Sequence, residues 1–486
     1  MRKVRSKIAV LAALLTSACA AGPDYQRPQA PSSSAGAFVT RAEGTDPTQP
    51  LPNDWWRLYD DPVLDNLVEQ ALSANTDLRV AAANLARARA VLSEARAGRL
   101  PSTTLSGGGS YGDTARVGGD QGGGFVNLND TQWSTNASAS VSWEADLFGR
   151  IGRSIEAARA DAEAVVAARD GVRVLVAAET TRAYLNACSY AYALETARRS
   201  SEISENSLKL VSEREEVGAA SGRDVERAGA AAATARAAVP MMEGQRRVAL
   251  LELAALLGRT PDAIPEGALA CMLPKPPASV LPIGDGTALL RRRPDLREAE
   301  RRLAADTARI GVATADLYPR VSLGGSGNFF RNDDVKGSDS FSFSLGPLIS
   351  WSFPNITVAR ARIRQARAQS EASLATFDGR VLTALKEVEQ ALTRVDTGQR
   401  RLDALLEAKE RSEHAWRLDD QRYRAGSVSY LDVLVAQGEM LDARAAYADG
   451  LQALSSDRVD LFKALGGGWG VSAQGDAAEA PVQGEN

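Results

Sequence analysis

Few side chains in this sequence have the type and spacing to do chemistry. In GGGSYG, residues 107–112, Gly107, Gly109 and Gly112 satisfy G-x-G-x-x-G. That spacing cradles a pyrophosphate only where it closes a strand and opens a helix in a βαβ unit, and no helical pattern follows it here. An external loop explains these glycines better. His414, the single histidine, lies in an Arg/Glu-rich helical segment without a zinc signature. Neither a Walker motif nor G-x-S-x-G occurs. The chain therefore reads as no enzyme, with no cofactor and no metal.

The cysteines Cys19, Cys188 and Cys271 lack metal-ligand spacing. Cys188 and Cys271 could pair in an oxidising compartment, but as one helical and one linker thiol they read as free. Cys19 carries a different chemistry. Arg2, Lys3, Arg5 and Lys7 precede the apolar run Ile8–Leu15, which is too short to span a bilayer and reads as a signal-peptide core. TSACA follows, and small residues directly before a cysteine are what lipoprotein processing recognises. Cys19 would become the acylated first residue, although Thr16 stands where a leucine is usual. Ordinary cleavage after Ala18-Cys19-Ala20 is the alternative; lipidation is the reading taken, because an acyl chain anchors a secreted chain. Either way the protein leaves the cytoplasm.

A net charge of −4 over 486 residues, with a pI near 5.5, argues against nucleic acid as a partner. Arg and Lys are interspersed with Asp and Glu, as on solvated helix faces. What organises the chain is an internal repeat. Residues 76–101 lie over 294–319 without a gap, Asp77 on Asp295 and Pro101 on Pro319, an offset of 218. Further on the offset is 208: Trp143 meets Trp351, Gly218 meets Gly426, Asp224 meets Asp432 and Gly258 meets Gly466. One ten-residue insertion in the Gly-rich stretch 106–124 accounts for the change.

Each copy reads helix, strand, loop, strand, very long helix, tight turn, helix. The first helix covers about 75–98. A proline-free helical pattern then runs over 149–217, on the order of 100 Å at 1.5 Å per residue. GAASGRD turns the chain at 218–224, and a returning helix reaches Leu257, stopped by Gly258 and Pro261. The second copy repeats this over 357–425, GSVS and a return to Leu465. Pro240 falls inside the first returning helix, where its counterpart is Ala448, and predicts a kink or break. The boundaries that follow are a signal peptide 1–18, an extended segment 19–53, repeat 1 over 54–258, a Pro-rich linker 259–286, repeat 2 over 287–466 and a flexible tail 467–486.

Four segments alternate with period two: 103–112, 132–144, 321–330 and 340–351. In 132–144, Trp133, Val141 and Trp143 oppose Ser134, Asn136 and Ser142. Segments of about ten residues with one apolar face, one uncharged polar face and aromatics toward the ends are the pattern of an outer-membrane β-barrel, though a soluble sandwich also alternates. Four strands cannot close a barrel, and an open edge in lipid leaves amides unpaired. Three copies would supply twelve strands around a wet bore.

With these features the chain resembles the outer-membrane efflux proteins, the TolC-like channels, and within them the lipoprotein branch serving RND-type pumps. The matching stretches are CAAGPDYQRP at 19–28, DWWRLYDDPVLDNLVEQALSANTDLRVAAANLARARAVLSEARAGRLP at 54–101, WEADLFGR at 143–150 and RYRAGSVSYLDVLVAQ at 422–437. The resemblance implies a mainly α fold with membrane β: a homotrimer with a twelve-stranded barrel, a long periplasmic α-helical barrel, and an equatorial domain from the linker and chain ends. It implies a periplasmic adaptor docking near SEREEVGAASGRD and DDQRYRAGSVSY, and an inner-membrane RND-type pump. By the same resemblance Tyr423 matches a gate tyrosine, Asp224 its aspartate partner and Asp432 a pore-facing acid. Val428 and Val435 depart from the family's charged gate positions. Helix N-capping is the alternative role for Asp224 and Asp432. The function implied is a passive exit duct for drugs or other small toxic compounds. Metal-cation efflux or type I protein secretion by the same fold is an alternative, and a secreted coiled-coil scaffold without a channel is the rival from another class.

Overall fold

The computed structural model describes residues 21–29, 36–113, 131–272, 277, 280–333, 335–351 and 356–468. The signal segment with Cys19, residues 114–130 of the Gly-rich stretch, part of the Pro-rich linker and the tail beyond Gly468 lie outside the described residues. The chain is mostly helical. Helices α1 (Pro62–Ala74) and α2 (Thr76–Ala97) precede strands β2 (Ser102–Asp113) and β3 (Thr131–Ala145), after a short β1 (Thr45–Asp46). Then come α3 (Arg150–Glu216), α4 (Gly222–Leu256), α5 (Glu266–Leu269), β4 (Leu281–Pro282), α6 (Gly286–Arg292) and α7 (Pro294–Ala315). Strands β5 (Arg320–Arg331) and β6 (Phe341–Ser350) lead into α8 (Ile356–Arg424) and α9 (Tyr430–Ala464). Among the described residues no helix is long and apolar enough to cross a membrane.

The chain divides into two compact units, each drawn from three stretches. The first (residues up to 28, 86–164 and 299–376) holds an antiparallel sheet in the order β2-β3-β5-β6. Its register keeps parity: Tyr111 pairs with Trp133, Val141 with Gly325, Leu323 with Pro347 and Phe329 with Phe341. Paired residues share a face, so the odd-numbered side chains form one apolar surface. That surface is bare in the chain, with Phe343 89% exposed. On the even face, Ser106 and Ser138 share a hydrogen bond at 2.7 Å, Ser110 and Ser134 at 2.8 Å, and Ser326 and Ser344 at 2.9 Å. Gly107, Gly109 and Gly112 are strand residues of β2, paired with Ala137, Thr135 and Gln132, which corrects the loop expectation. Pairing with β3 places them, although on this edge strand only alternate residues turn their amides to the neighbour, so turn-forming composition alone does not put them in a loop.

WEADLFGR acquires a physical reading as the corner from β3 into α3. Asp146 accepts from the N–H groups of Ile151 (2.9 Å) and Gly152 (2.7 Å), capping the helix. Gly149 takes the positive φ (74°) the corner needs, and Glu144 pairs with Arg150 at 2.7 Å. The Phe148 ring stacks on Tyr318 of the second copy at 4.5 Å. Residues 21–27 lie along this unit: the Ala21 N–H donates to the Phe148 carbonyl, buried Arg153 pairs with Asp24, and the Tyr25 hydroxyl donates to Glu300.

The second unit (29–85, 165–298 and 377 onward) is built around Trp55, Leu64, Val68, Leu253 and Phe462, all fully buried. Trp55 stacks on Phe462 at 4.5 Å. Long helices pack through small side chains here: Ala177, Ala183, Ala187 and Ala391 are buried, which lets backbones approach closely. The repeat is legible in its joints. The Asn75 amide donates to the Leu256 carbonyl at 2.9 Å, and its counterpart Arg293 donates to the Ala464 carbonyl at 3.1 Å. Two expectations are corrected. Helix α4 runs through Pro240 without the break that was one of the two expectations there; the residue is exposed, so the carbonyl it leaves unpaired one turn back can be hydrated. Cys188 and Cys271 form a disulfide across 83 residues, with Cα atoms 5.0 Å apart, rather than remaining free. The fold carries the linker back onto α3, a proximity that sequence spacing does not encode.

Candidate functional site

Both long helices of the second unit end in the same way. Gly218 and Gly426 each adopt φ of 76°. The Gly218 N–H donates to the Glu215 carbonyl and the Ala219 N–H to that of Arg214, both at 2.8 Å. In the second copy Gly426 donates to Tyr423 and Ser427 to Arg422, both at 2.9 Å. This is the Schellman arrangement, which satisfies the last helical carbonyls. The returning helices then start from Ser221 and Ser429, each an N-cap within a capping box.

Asp224 and Asp432 occupy the third helical position of those boxes, not the N-cap itself. Asp224 Oδ2 accepts from the Ser221 N–H (3.3 Å) and hydroxyl (2.7 Å). Asp432 Oδ2 accepts from the Ser429 N–H (3.0 Å) and hydroxyl (2.7 Å). The Ser221 hydroxyl bond, chief among these effects, holds the Asp224 carboxyl below its ordinary value. A negative group in the first turn also suits the helix dipole.

Tyr423 sits at the end of α8, 7% exposed, in a cluster with Val211, Ala228, Tyr430 and Val433. The Arg214 guanidinium lies over its ring at 4.1 Å from the centroid, and the Tyr430 ring is 5.5 Å away, tilted. Tyr430 shares a hydrogen bond with Ser207 at 2.8 Å, and burial pushes its hydroxyl above the ordinary tyrosine value. Two turns further along α9, Gln437 donates to Ser204 at 2.9 Å. Helices α3, α8 and α9 are thus tied together next to the turns.

Within one chain, among the described residues, no hydrogen bond joins Tyr423 to Asp224. The structure instead brings Tyr423 together with Arg214 and Tyr430, two residues that sequence reasoning missed. Tyr430 had a signal: the first copy has Gly222 at the same place, SGRD against SYLD. Arg214 had none, because it is one arginine among many on a charged helix. Val428 packs partly buried against the cluster, and Val435 is 53% exposed. Among the described residues no group of three or more His, Cys, Asp or Glu is arranged to hold a metal ion.

The arrangement is a pair of helical tips locked by capping boxes, with an aromatic–cation contact beside them. A family model described as outer membrane efflux protein matches residues 67–259 and 287–467. The chain is 33% identical to the outer membrane protein OprJ of Pseudomonas aeruginosa over 95% of both chains. It is 30% identical to the nodulation protein T of Rhizobium leguminosarum bv. viciae, over 99% of this chain and 97% of that one. The solved structure of the outer-membrane channel OprN superposes with a TM-score of 0.83 at 36% identity, covering 93% of this chain and all of that one.

Proposed function

The chain belongs to the outer membrane efflux protein family, and on that premise we propose that it is the passive exit duct of a tripartite efflux system, working as a homotrimer. The observation that carries this reading is the four-stranded sheet, whose two edges and apolar face are uncovered among the described residues. In hydrocarbon each unpaired amide costs several kcal/mol, so the β2 edge of one copy must meet the β6 edge of the next. Twelve strands spaced about 4.8 Å apart and tilted about 40° give a backbone bore of roughly 24 Å. Trp133 and Trp143 bound the apolar face of β3 ten residues apart, or about 25 Å of height at that tilt, the thickness of a lipid-facing band.

In this reading the paired long helices of repeats 54–258 and 287–466 form a periplasmic α-helical barrel whose turns carry the gate, with Tyr423, Asp224 and Asp432 at it. A tyrosine hydroxyl and a carboxylate can then bond between neighbouring copies. Cys19 carries the acyl anchor. The periplasmic adaptor docks at the turns, an inner-membrane RND-type pump supplies the energy, and the cargo is drugs or other small toxic compounds. The duct itself performs no reaction. Purified chain reconstituted in planar bilayers should give discrete single-channel currents, and gene deletion should raise drug susceptibility. Silent bilayers from correctly folded trimer would exclude a duct.

A further inference from the structure

On the reading above, the even-numbered face of the sheet lines the bore, and two residues break its pattern. Every other even position of β2, β3, β5 and β6 is Ser, Thr, Asn, Gln, Gly or a charged residue. Phe330 pairs with Asn136 and Leu348 with Ser322, so the register itself puts both on that polar face. Phe330 is 40% and Leu348 62% exposed, and among the described residues no aromatic ring packs on Phe330. A single exposed apolar side chain is ordinary on any surface. These two, however, stand at opposite ends of the sheet, each beside the aromatic residues that bound the apolar face. Phe330 is back to back with Phe329, whose ring meets Phe341 at 5.1 Å near the loop end of the sheet. Leu348 follows Pro347, which is level with Leu323 and through it with Trp143 near the helix end. Between the levels of Ser322 and Phe330 lie about 27 Å of strand, lined by hydroxyl pairs such as Ser326–Ser344.

We propose that Phe330 and Leu348 form, in the trimer, two three-membered apolar collars, one at each mouth of a hydroxyl-lined bore, and that these bind the apolar or aromatic part of an exported small molecule in transit. The inference rests on the trimeric-duct reading and specifies its substrate class. A wall of Ser, Asn and Gly offers an amphiphilic solute no apolar surface, so such a solute meets only water and hydroxyls along the bore. A phenyl face and a branched aliphatic group supply that surface at entry and exit, and neither carries charge that would select ions.

The test uses full-length trimer in liposomes, as wild type, Phe330→Ser, Leu348→Ser and the double variant. Each is exposed to a membrane-impermeant anionic aromatic diazirine, with a sugar-linked alkyl diazirine as control, and labelled peptides are mapped by mass spectrometry. Aromatic contacts of this size change occupancy two- to tenfold. The double variant should therefore lose at least about threefold of the aromatic label from the β5 and β6 peptides while the control label is unchanged. Equal aromatic labelling of wild type and double variant overturns the collars. A parallel set places cysteine at 330 and 348, and at the lipid-side neighbours 329 and 349, for reaction with an impermeant maleimide. Reaction at 330 and 348 alone keeps the duct reading whatever the diazirine shows. Reaction at 329 and 349 alone overturns the duct reading, and the collars with it.

Discussion

The guanidinium of Arg214, on the first long helix, lies 4.1 Å from the ring centroid of Tyr423, at the end of the second. The two helices come from different copies of the repeat, so this contact ties copy to copy beside the turns. Cation–π contacts of this exposure are worth about 0.5–1 kcal/mol. Arg214→Ala should loosen the Tyr423 ring and raise the open fraction in single-channel records about two- to fivefold, with Arg214→Lys intermediate. Tyr423→Phe keeps the ring contact and removes only the hydroxyl. Combined with Asp224→Ala it should raise conductance with little loss of thermal stability, and unchanged conductance removes both residues from the gate.

The capping boxes at Ser221 and Ser429 predict where the turns fray. Ser221→Ala or Ser429→Ala should each cost about 1 kcal/mol locally, read as roughly fivefold faster amide exchange over the first turn of α4 or α9. The Ser221 hydroxyl bond holds the folded Asp224 carboxyl below its ordinary value. Its contribution is therefore present above that value and lost as pH falls through the depressed one. Exchange at the turn should stay constant from neutral pH to about pH 4, after correction for intrinsic rates, and rise only below it.

Trp143 and Trp351 occupy matching positions and make matching bonds. The Trp143 indole N–H donates to the Arg99 carbonyl at 2.9 Å, and that of Trp351 to the Leu317 carbonyl at 3.3 Å. Each pins a strand end to the residues that close the preceding helix. Trp143→Phe keeps the apolar area and removes the donor, so it should destabilise by about 1 kcal/mol, seen as a lower thermal-unfolding midpoint.

The Cys188–Cys271 disulfide closes an 83-residue stretch. A loop of that size limits the unfolded chain by about 4–5 kcal/mol in the chain-entropy description. Cys188 and Cys271 should resist alkylation until the protein is denatured and reduced, and Cys271→Ser should lower the unfolding midpoint in guanidinium. Free reactivity of both in native protein would remove the staple.

What the sequence showed was whatever repeats or alternates locally. The parity of Trp133 and Ser134 sets the two faces of β3, and the offset from Gly218 to Gly426 aligns two turns with the same φ. What it hid depends on chain segments meeting. Cys188 and Cys271 are neighbours only because the linker returns to α3. Asp224 read as a gate partner or an N-cap, and its place at the third position of the capping box follows from where Ser221 stops the turn. Pro240 predicted a kink or break, and the helix is not broken there, because an exposed helix surface tolerates one unpaired carbonyl. The Arg214 contact on Tyr423 went unseen because Arg214 carries no distinguishing context in a helix rich in arginine.

The completion of one copy's sheet by its neighbours is tested most directly by edge-to-edge cross-linking. Strands β2 and β6 are the two edges of the sheet and are not adjacent within a chain. A chain carrying Ser106→Cys on β2 together with Ser342→Cys or Ser344→Cys on β6, oxidised in membranes and run on a denaturing gel, should give monomer, dimer and trimer bands and nothing larger. A product that stays monomeric at every β6 position tried, or a ladder that continues beyond three, would contradict a closed twelve-stranded barrel.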